Sequence, residues 1–377
     1  MKTYSVGILG FGFIGKVHAF AHTALPYHFA GLPFRTRIAR VCTSRPDSAA
    51  AAAAFLGDGV IGSTDPRDIL DDPSIDVVHI CTPNHCHVDA LLAAMARQKA
   101  IYCDKPLTAT LEEARRIEAA LPAYRGTAQM TFQNRFFPSA LRARQIVEEG
   151  RLGELLQFRV CFLHASNVSP TAPLKWKLSA AAGGGVIADL ASHALDLAVW
   201  LAGDLTDVSA VSKVAYPSRP DVADPSQQRA VDAEDSVVAL ARTRNGAIGT
   251  LEATKLALGS EDELRIDLHG TRGALRFNSM APHHLDYYDG TAADQPLGGL
   301  RGWTRIDCGQ RYPAPAGFPA PKVSIGWMRS HIQCLYEFMA AVDAGRPAEP
   351  GLAHGIAIQR LMEALRRSSA SRQWERP

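Results

Sequence analysis

The sequence lacks the features that mark membrane, secreted and nucleic-acid-binding proteins. No apolar run reaches membrane length, and the first residues, MKTYSVGILGFGFIG, lead into a glycine motif and not a cleavage site, so we expect no transmembrane helix and no signal peptide. The 40 basic and 38 acidic residues leave a net charge of +2 without a basic stripe, which argues against a nucleic-acid partner. Seven cysteines, an odd number, predict a reducing, cytoplasmic compartment without a disulfide framework.

At 377 residues the chain is long enough for two domains, and its pattern changes along its length. Apolar strand-like runs alternate with helical patterns from Tyr4–Leu9 onward, which predicts a parallel sheet with right-handed crossovers. Beyond about residue 150, long strand-like stretches with hairpin signals such as Asn245-Gly246 predict a largely antiparallel sheet. One helix from about Gly184 to Leu201 interrupts it, residues 281–326 are predicted to be loop, and two helices close the chain.

A glycine turn follows the first predicted strand and precedes a helical pattern. It has the form G-x-G-x-x-G, which in this context provides a tight turn, close backbone approach to a pyrophosphate and a helix N-terminus facing the negative charge. We therefore predict dinucleotide binding in preference to a purely structural turn. The predicted contacts are Gly10, Gly12, Phe13, Ile14 and Gly15.

The end of the second predicted strand carries Ser44 and Arg45, where a carboxylate would commonly bind the adenosine ribose. An arginine pairs with phosphate and stacks on adenine, so these two residues favour NADP over NAD. The alternative is that Arg45 is an ordinary surface residue beside Pro46.

The stretch TPNHCH, residues 82–87, together with Cys81 before it, brings two histidines and two cysteines close together in the sequence after a buried strand. Its spacing does not match the paired ligand patterns of structural zinc sites, so we predict no metal here. The better interpretation is a loop at the carboxyl edge of the parallel sheet, where ligands bind in such folds. The residues assigned to the cofactor in this loop are Thr82, Pro83, Asn84 and His87.

A lysine directly before a proline ends the next strand, in AIYCDKP. The residue before proline is pushed toward extended conformations, so Lys105 cannot simply begin the next helix. The side chain is instead held at the strand edge, with Asp104 before it.

Two potentially catalytic side chains follow three glycines in GGGVIADLASHALDLA. In a helix, Asp189 and His193 lie one turn apart on one face, with Asp196 three residues further. The imidazole could take a proton from a hydroxyl while the carboxylate orients it or accepts a second hydroxyl. The alternative is that the two side chains merely bond each other or solvent.

In order and spacing these motifs resemble the family of glucose-fructose oxidoreductase, inositol dehydrogenase and MocA-like proteins. The resemblance covers nearly the whole chain and also includes Asn134-Arg135-Phe136 and Lys175-Trp176-Lys177. Within the family, GGGVIADLASHALDLA and LEATKLALG are similar to levoglucosan-type sugar dehydrogenases.

The resemblance implies a Rossmann NAD(P)-binding domain over residues 1–126. It implies an α+β domain over 127–377 with a large, mostly antiparallel open sheet, which often forms a homodimer or homotetramer interface, and with C-terminal helices that pack back. A substrate pocket is implied between the domains.

The resemblance also assigns roles to single residues. Lys105 would hydrogen-bond the nicotinamide ribose and the reacting hydroxyl, Asp189 would hold sugar hydroxyls, and His193 would be the base. Asp104, counted with the cofactor residues, stands where the family usually has glutamate, one methylene longer. Further substrate-wall residues are implied at Arg135, Trp176 and Lys177.

The resulting hypothesis is reversible, NAD(P)-dependent oxidation of a secondary hydroxyl of a sugar, anhydrosugar or cyclitol. Two alternatives stay open at this point. A dinucleotide-dependent glycosidase of the same fold would release a sugar without net cofactor reduction, and a non-enzymatic dinucleotide-binding regulator would turn over no polyol.

Overall fold

The computed structural model describes residues 1–377, which form two compact units. Unit 1 consists of Met1–Gln133, Tyr312–Pro319 and Trp327–Gln359. Unit 2 consists of Asn134–Arg311, Ala320–Gly326 and Arg360–Pro377. The domain boundary after residue 126 stays a prediction.

Unit 1 contains a six-stranded parallel sheet in the order β3-β2-β1-β4-β5-β6, as predicted for a Rossmann fold. Its strands are β1 Lys2–Leu9, β2 Phe34–Cys42, β3 Ile61–Ser63, β4 Val77–Ile80, β5 Ala100–Cys103 and β6 Ala128–Met130. The intervening helices are α1 Phe13–His28, α2 Pro46–Leu56, α3 Arg67–Leu70, α4 His87–Ala96 and α5 Leu111–Ala120. The run Val77–Ile80 is buried throughout, as expected of a strand covered on both faces.

The ends of the central strands are aligned in one row. Leu9 pairs with both Cys42 and Ile80, Ile80 pairs with Cys103, and Cys103 pairs with Met130. Because the strands are parallel, the loops that follow them leave the sheet at the same edge. The strand order reverses between β1 and β4, and ligands bind at such a reversal in open α/β sheets.

Unit 2 contains an eight-stranded sheet in the order β16-β15-β14-β13-β7-β12-β11-β8. All neighbours are antiparallel except β7 and β12, so the mostly antiparallel sheet is confirmed. Its strands are β7 Leu155–Leu163, β8 Leu205–Lys213, β11 Ser236–Thr243, β12 Ile248–Thr254, β13 Glu263–Gly270, β14 Gly273–Asn278, β15 His284–Asp289 and β16 Trp303–Asp307; a separate pair is β9 Ser218–Pro220 and β10 Gln228–Ala230. The remaining helices of the chain are α6 Pro138–Glu148, α7 Ser192–Ala202, α8 Trp327–Asp343 and α9 Leu352–Ser371.

Two details differ from the sequence-based expectation. The predicted loop 281–326 contains the edge strand β16, which pairs with β15 through Ile306 and Leu285. The strand β16 is mostly exposed, so it lacks the apolar alternation that reveals a strand in the sequence. The helix predicted from Gly184 begins as a π-helical turn, Ile187–Ala191, before α7.

No helix of this chain combines the length and the apolar character needed to span a lipid bilayer. All seven cysteines are free thiols, and five of them are buried.

Candidate active site

The glycine turn between β1 and α1 shows three different constraints. Gly10 has a φ of +87°, and a Cβ there would lie 2.6 Å from the carbonyl oxygen of Cys81. A Cβ on Gly15 would lie 2.2 Å from the carbonyl oxygen of Gly10. A Cβ on Gly12 would meet no protein atom within 4 Å, so this space beside the N-terminus of α1 is open to a ligand. These are the features that a pyrophosphate-binding turn requires.

The loop after β2 presents Ser44 and Arg45 to solvent. Its turn is held from within, because the Thr43 hydroxyl lies 2.7 Å from the Ser48 hydroxyl and 3.1 Å from the carbonyl oxygen of Arg45. Arg45 is the N-cap residue of α2 and makes no side-chain cap. The guanidinium is therefore on the same sheet edge as the glycine turn and accessible.

The loop that carries Lys105 is anchored on both sides. The Thr131 hydroxyl, after β6, donates to Asp104 Oδ1 at 2.8 Å. On the other side, His87 Nδ1 lies 3.1 Å from the carbonyl oxygen of Pro106, and the Lys105-Pro106 peptide bond is cis. These contacts restrict the backbone on either side of Lys105 and therefore the origin of its side chain.

His87 also joins this loop to the predicted cofactor loop, because its Nε2 lies 2.9 Å from the carbonyl oxygen of Thr82. The imidazole is fully buried, and burial lowers its pKa while the nearby Asp104 charge raises it. Asn84 is buried in the same loop, within the short 3-10 turn that precedes α4. His87 thus has a structural contact at each nitrogen, and its predicted contact with the cofactor stays a prediction.

A row of buried histidines lies inside unit 1, which the sequence-based reasoning did not identify. His22 Nε2 is 2.9 Å from His79 Nε2, and His79 Nδ1 is 3.1 Å from His18 Nδ1. The row ends on the Thr36 hydroxyl, 3.0 Å from His22, and on the Cys81 thiol, 3.1 Å from His18. Burial lowers the pKa of His18 to about 4 and that of His22 to about 3, and it lowers the pKa of His79 well below 6.5. All three imidazoles are therefore neutral near neutral pH.

The stretch TPNHCH does not gather its metal-ligating side chains. Cys81 and His87 are buried, whereas His85 and Cys86 are exposed. No group of three or more histidine, cysteine or acidic side chains in the chain is arranged to hold a metal ion.

In unit 2, Asp189 is held by two lysines. Lys177 Nζ lies 2.9 Å from Asp189 Oδ1, and Lys255 Nζ lies 2.9 Å from Oδ2. The Lys177 side chain is 49% exposed and that of Lys255 only 5%. Two ammonium groups donate to the Asp189 carboxylate, so it is a fixed acceptor at the start of the helix.

Lys255 was not identified from the sequence as a partner of Asp189, although it lies in the LEATKLALG stretch. The available signal was a lysine among apolar residues just after a strand, where a charged side chain is rarely buried without a partner. Trp176, next to Lys177, is partly exposed, with the Lys177 ammonium 5.9 Å from its ring centroid.

His193 and Asp196 follow on α7 with different surroundings. His193 is buried, with its ring 5.8 Å from that of Phe162 in an edge-on arrangement. Asp196 is buried in a bidentate ion pair with Arg135, with nitrogen–oxygen distances of 2.6 to 3.0 Å. Asp196 is thus engaged by a cation, and Arg135 supports this helix; its predicted contact with substrate stays a prediction.

The comparisons with known proteins cover both units. Residues 4–132 match the oxidoreductase family with an NAD-binding Rossmann fold, and residues 140–276 match the GFO/IDH/MocA C-terminal domain. Levoglucosan dehydrogenase of Pseudarthrobacter phenanthrenivorans is 33% identical over 99% of this chain and 98% of its own length. Inositol 2-dehydrogenase of Rhizobium meliloti is 26% identical over 98% of each. A solved levoglucosan dehydrogenase in complex with NADH and levoglucosan aligns with a TM-score of 0.92, at 32% identity, over 100% of this chain and 99% of that one.

The fold, the glycine turn and these matches define an oxidoreductase that uses a nicotinamide dinucleotide. The open space at Gly12 beside the α1 N-terminus fits that cofactor's pyrophosphate. More narrowly, the chain belongs to the Gfo/Idh/MocA oxidoreductase family, which confirms the resemblance noted from its motifs.

Proposed function

We propose that the protein catalyses reversible oxidation of a secondary hydroxyl of a sugar, anhydrosugar or cyclitol. The observation that carries the proposal is its similarity to levoglucosan dehydrogenase over nearly the full length of both chains, in sequence and in structure. Inositol 2-dehydrogenase, a relative of similar coverage, extends the substrate class to cyclitols. When bound, the nicotinamide supplies the hydride acceptor.

In unit 1, Gly10, Gly12 and Gly15 bind the pyrophosphate, and Lys105 hydrogen-bonds the nicotinamide ribose and the reacting hydroxyl. The support for Lys105 is its position on the ligand-binding edge of the sheet and the anchoring of its loop through Asp104. These anchors fix the backbone position from which the Lys105 side chain extends, which favours a defined geometry at the reacting hydroxyl. The short carboxylate of Asp104 keeps a partner in Thr131.

In unit 2, His193 takes the hydroxyl proton and Asp189 accepts hydrogen bonds from sugar hydroxyls. The support for Asp189 is its pair of lysines, which hold the carboxylate in place from two sides. Lys177, half exposed, adds N–H donors, and Trp176 adds an apolar face for the C–H side of a sugar ring. This combination of donors, acceptors and an indole suits a polyol.

The cofactor choice is proposed from the loop after β2. The exposed guanidinium of Arg45 and the hydroxyl of Ser44 suit a 2′-phosphate, which supports NADP. The solved complexes of levoglucosan dehydrogenase contain NADH, which supports NAD. We retain NADP as the sequence-based preference.

The test is a panel of sugars, anhydrosugars and cyclitols, followed by absorbance of the reduced nicotinamide with NAD and NADP in parallel. Lys105→Ala and His193→Ala should each lower kcat by about 10²-fold or more, the size expected for loss of a positioned proton-transfer group. Lys213→Ala, at the end of β8, is the matched lysine control and should keep full activity. Near-wild-type rates in either of the first two variants would contradict the assignment.

We also propose that the sheet of unit 2 joins copies of this chain into a homodimer or homotetramer. The support is a row of exposed apolar side chains on one face, formed by Val211, Val238, Leu240 and Ile248. Val211 and Val238 are direct cross-strand neighbours, so the row is continuous. Leu240→Lys should lower the molar mass found by light scattering, and an unchanged mass would remove this face from the proposal.

A further inference from the structure

A carboxylate from another part of unit 2 caps the helical turn that carries Asp189. Glu234, which lies just before β11, accepts a hydrogen bond from the backbone N–H of Ile187 through Oε1 at 3.0 Å. Its own backbone carbonyl accepts from the N–H of Val186 at 2.7 Å. The first N–H groups of a helix have no acceptor within that helix, so a cap must supply one. Here one residue supplies acceptors to two successive N–H groups shortly before Asp189.

The glycines before this turn make the cap possible. Gly185 has a φ of +99°, and a Cβ there would collide with the carboxylate of Glu234. A Cβ on Gly184 would collide with the carbonyl oxygen of Lys177, which accepts from the N–H of Gly185 at 2.9 Å. The two glycines therefore let Glu234 and the backbone of Lys177 pack directly against the start of the helix.

The segment that carries Glu234 is itself held firmly. The next residue, Asp235, is fully buried, and its carboxylate accepts from Asn167 Nδ2 at 2.6 Å and from the N–H of Ala215 at 2.8 Å. The backbone carbonyl of Asp235 accepts from the N–H of Lys255 at 2.9 Å, and Lys255 is one of the two lysines on Asp189. Residues 234 and 235 therefore fix both the turn before Asp189 and the backbone of a lysine that contacts its carboxylate.

We propose that Glu234 is a positioning residue for the reaction, because its cap holds the start of the helix and so keeps the Asp189 carboxylate in place for the sugar hydroxyls. The inference rests on the substrate-binding role that the proposed function gives to Asp189. Arg366 Nη2 lies 3.9 Å from the same Glu234 oxygen, beyond hydrogen-bond distance, so the contact with Ile187 is the closer of the two. A displacement of about 1 Å in a positioning group is enough to lower a rate strongly.

Kinetics of three Glu234 variants separates the cap from the charge. Glu234→Ala removes the acceptor and should lower kcat/KM for the sugar about tenfold, as when a hydroxyl loses its hydrogen bond to a charged acceptor, while the Kd of the dinucleotide stays unchanged. Glu234→Gln keeps a carbonyl oxygen for Ile187 and should stay within about twofold of the wild type. Glu234→Asp keeps the charge but is one methylene shorter, so it should lose activity as Glu234→Ala does, and it replaces that variant in every measurement if the alanine variant does not fold.

The matched control is Asp224→Ala, which removes a carboxylate that accepts from the N–H of Ser226 in an exposed turn of unit 2. This variant should keep all kinetic constants. Equal losses in Glu234→Ala and Glu234→Gln would overturn the proposal, because the charge beside Arg366 would then matter and not the cap. Wild-type kcat/KM in Glu234→Ala would overturn it as well.

A double variant distinguishes positioning of Asp189 from a general loosening of unit 2. When Glu234 acts through Asp189, Glu234→Ala lowers kcat/KM no further in an Asp189→Asn background, because changes to two coupled residues are not additive. A second loss of about tenfold in that background would show that the cap stabilises the unit without positioning Asp189, and the proposal would be wrong.

A measurement without sugar keeps this inference apart from the proposed function. With carbon-13 labelled aspartate, the side-chain carboxyl resonance of Asp189, assigned through Asp189→Asn, should move in Glu234→Ala and stay at its wild-type position in Glu234→Gln. An unmoved resonance in Glu234→Ala, or the same shift in both variants, would refute the positioning role. A wild type that oxidises no sugar or cyclitol fails the proposed function, and the resonance still shows whether Glu234 holds Asp189.

Discussion

Mild acid should destabilise unit 1 through its row of buried histidines. In the folded protein the pKa of His18 is about 4 and that of His22 about 3, against an ordinary value of 6.5. A histidine whose pKa is lowered by folding contributes its full stability above 6.5 and loses it as the pH falls, because the unfolded chain then binds a proton that the folded chain does not. The expected loss is about 2 kcal/mol for each of these two residues between about pH 7 and about pH 5. His79 adds to the loss in the same direction.

The assay compares how the free energy of unfolding changes with pH in each protein, so that the direct effect of a substitution on stability cancels. Urea unfolding of the wild type and His22→Gln is followed at both pH values by hydrogen exchange in β1 and β4, which reports unit 1 alone. The variant should lose about 2 kcal/mol less than the wild type on acidification, because one titrating group is gone. His85→Gln, at an exposed position outside the row, should follow the wild type. If His22→Gln retains the full wild-type pH dependence, the buried row is not the source of the acid sensitivity.

Three further predictions concern single contacts. Thr131→Val removes the hydroxyl that donates to Asp104 and should lower kcat about tenfold in steady-state kinetics, while Thr131→Ser should retain activity. Equal rates in the two variants would show that this hydrogen bond does not position Lys105. Asp196→Asn leaves the guanidinium of Arg135 buried without its charge partner, so the free energy of unfolding measured in urea should fall by about 3 to 5 kcal/mol. An unchanged unfolding midpoint would show that this ion pair does not stabilise the fold. Arg45→Ala should raise KM for NADP about tenfold without changing KM for NAD, because it removes an ion pair with the 2′-phosphate. A parallel change in KM for both cofactors would show that Arg45 does not recognise the 2′-phosphate.

The parallel half of the fold was predictable because its signals are local. The buried strand Val77–Ile80 is a continuous apolar run, and the glycine turn lies directly between a strand and a helix. The edge strand β16 was missed because most of its side chains are exposed, so its pairing with β15 depends on a neighbour and not on its own pattern.

The candidate site was predictable in its residue types but not in its pairings. Helical spacing grouped Asp189, His193 and Asp196 on one face, whereas the structure pairs Asp189 with two lysines and Asp196 with an arginine. Lys255 and Arg135, which make two of those pairs, come from distant parts of the chain. Spacing within a helix carries no information about partners contributed by another element.

The sequence by itself determined the class of this protein, because the glycine turn, the Lys105-Pro106 pair and the Asp/His helix are recognised from their order along the chain. The tertiary structure decided which of their side chains are held and by what: Thr131 on Asp104, two lysines on Asp189, and the Glu234 carboxylate on the turn before Asp189. The physical reason is that a motif is defined by neighbours along the chain. Burial, charge pairing and hydrogen bonds between distant segments are defined by neighbours in space.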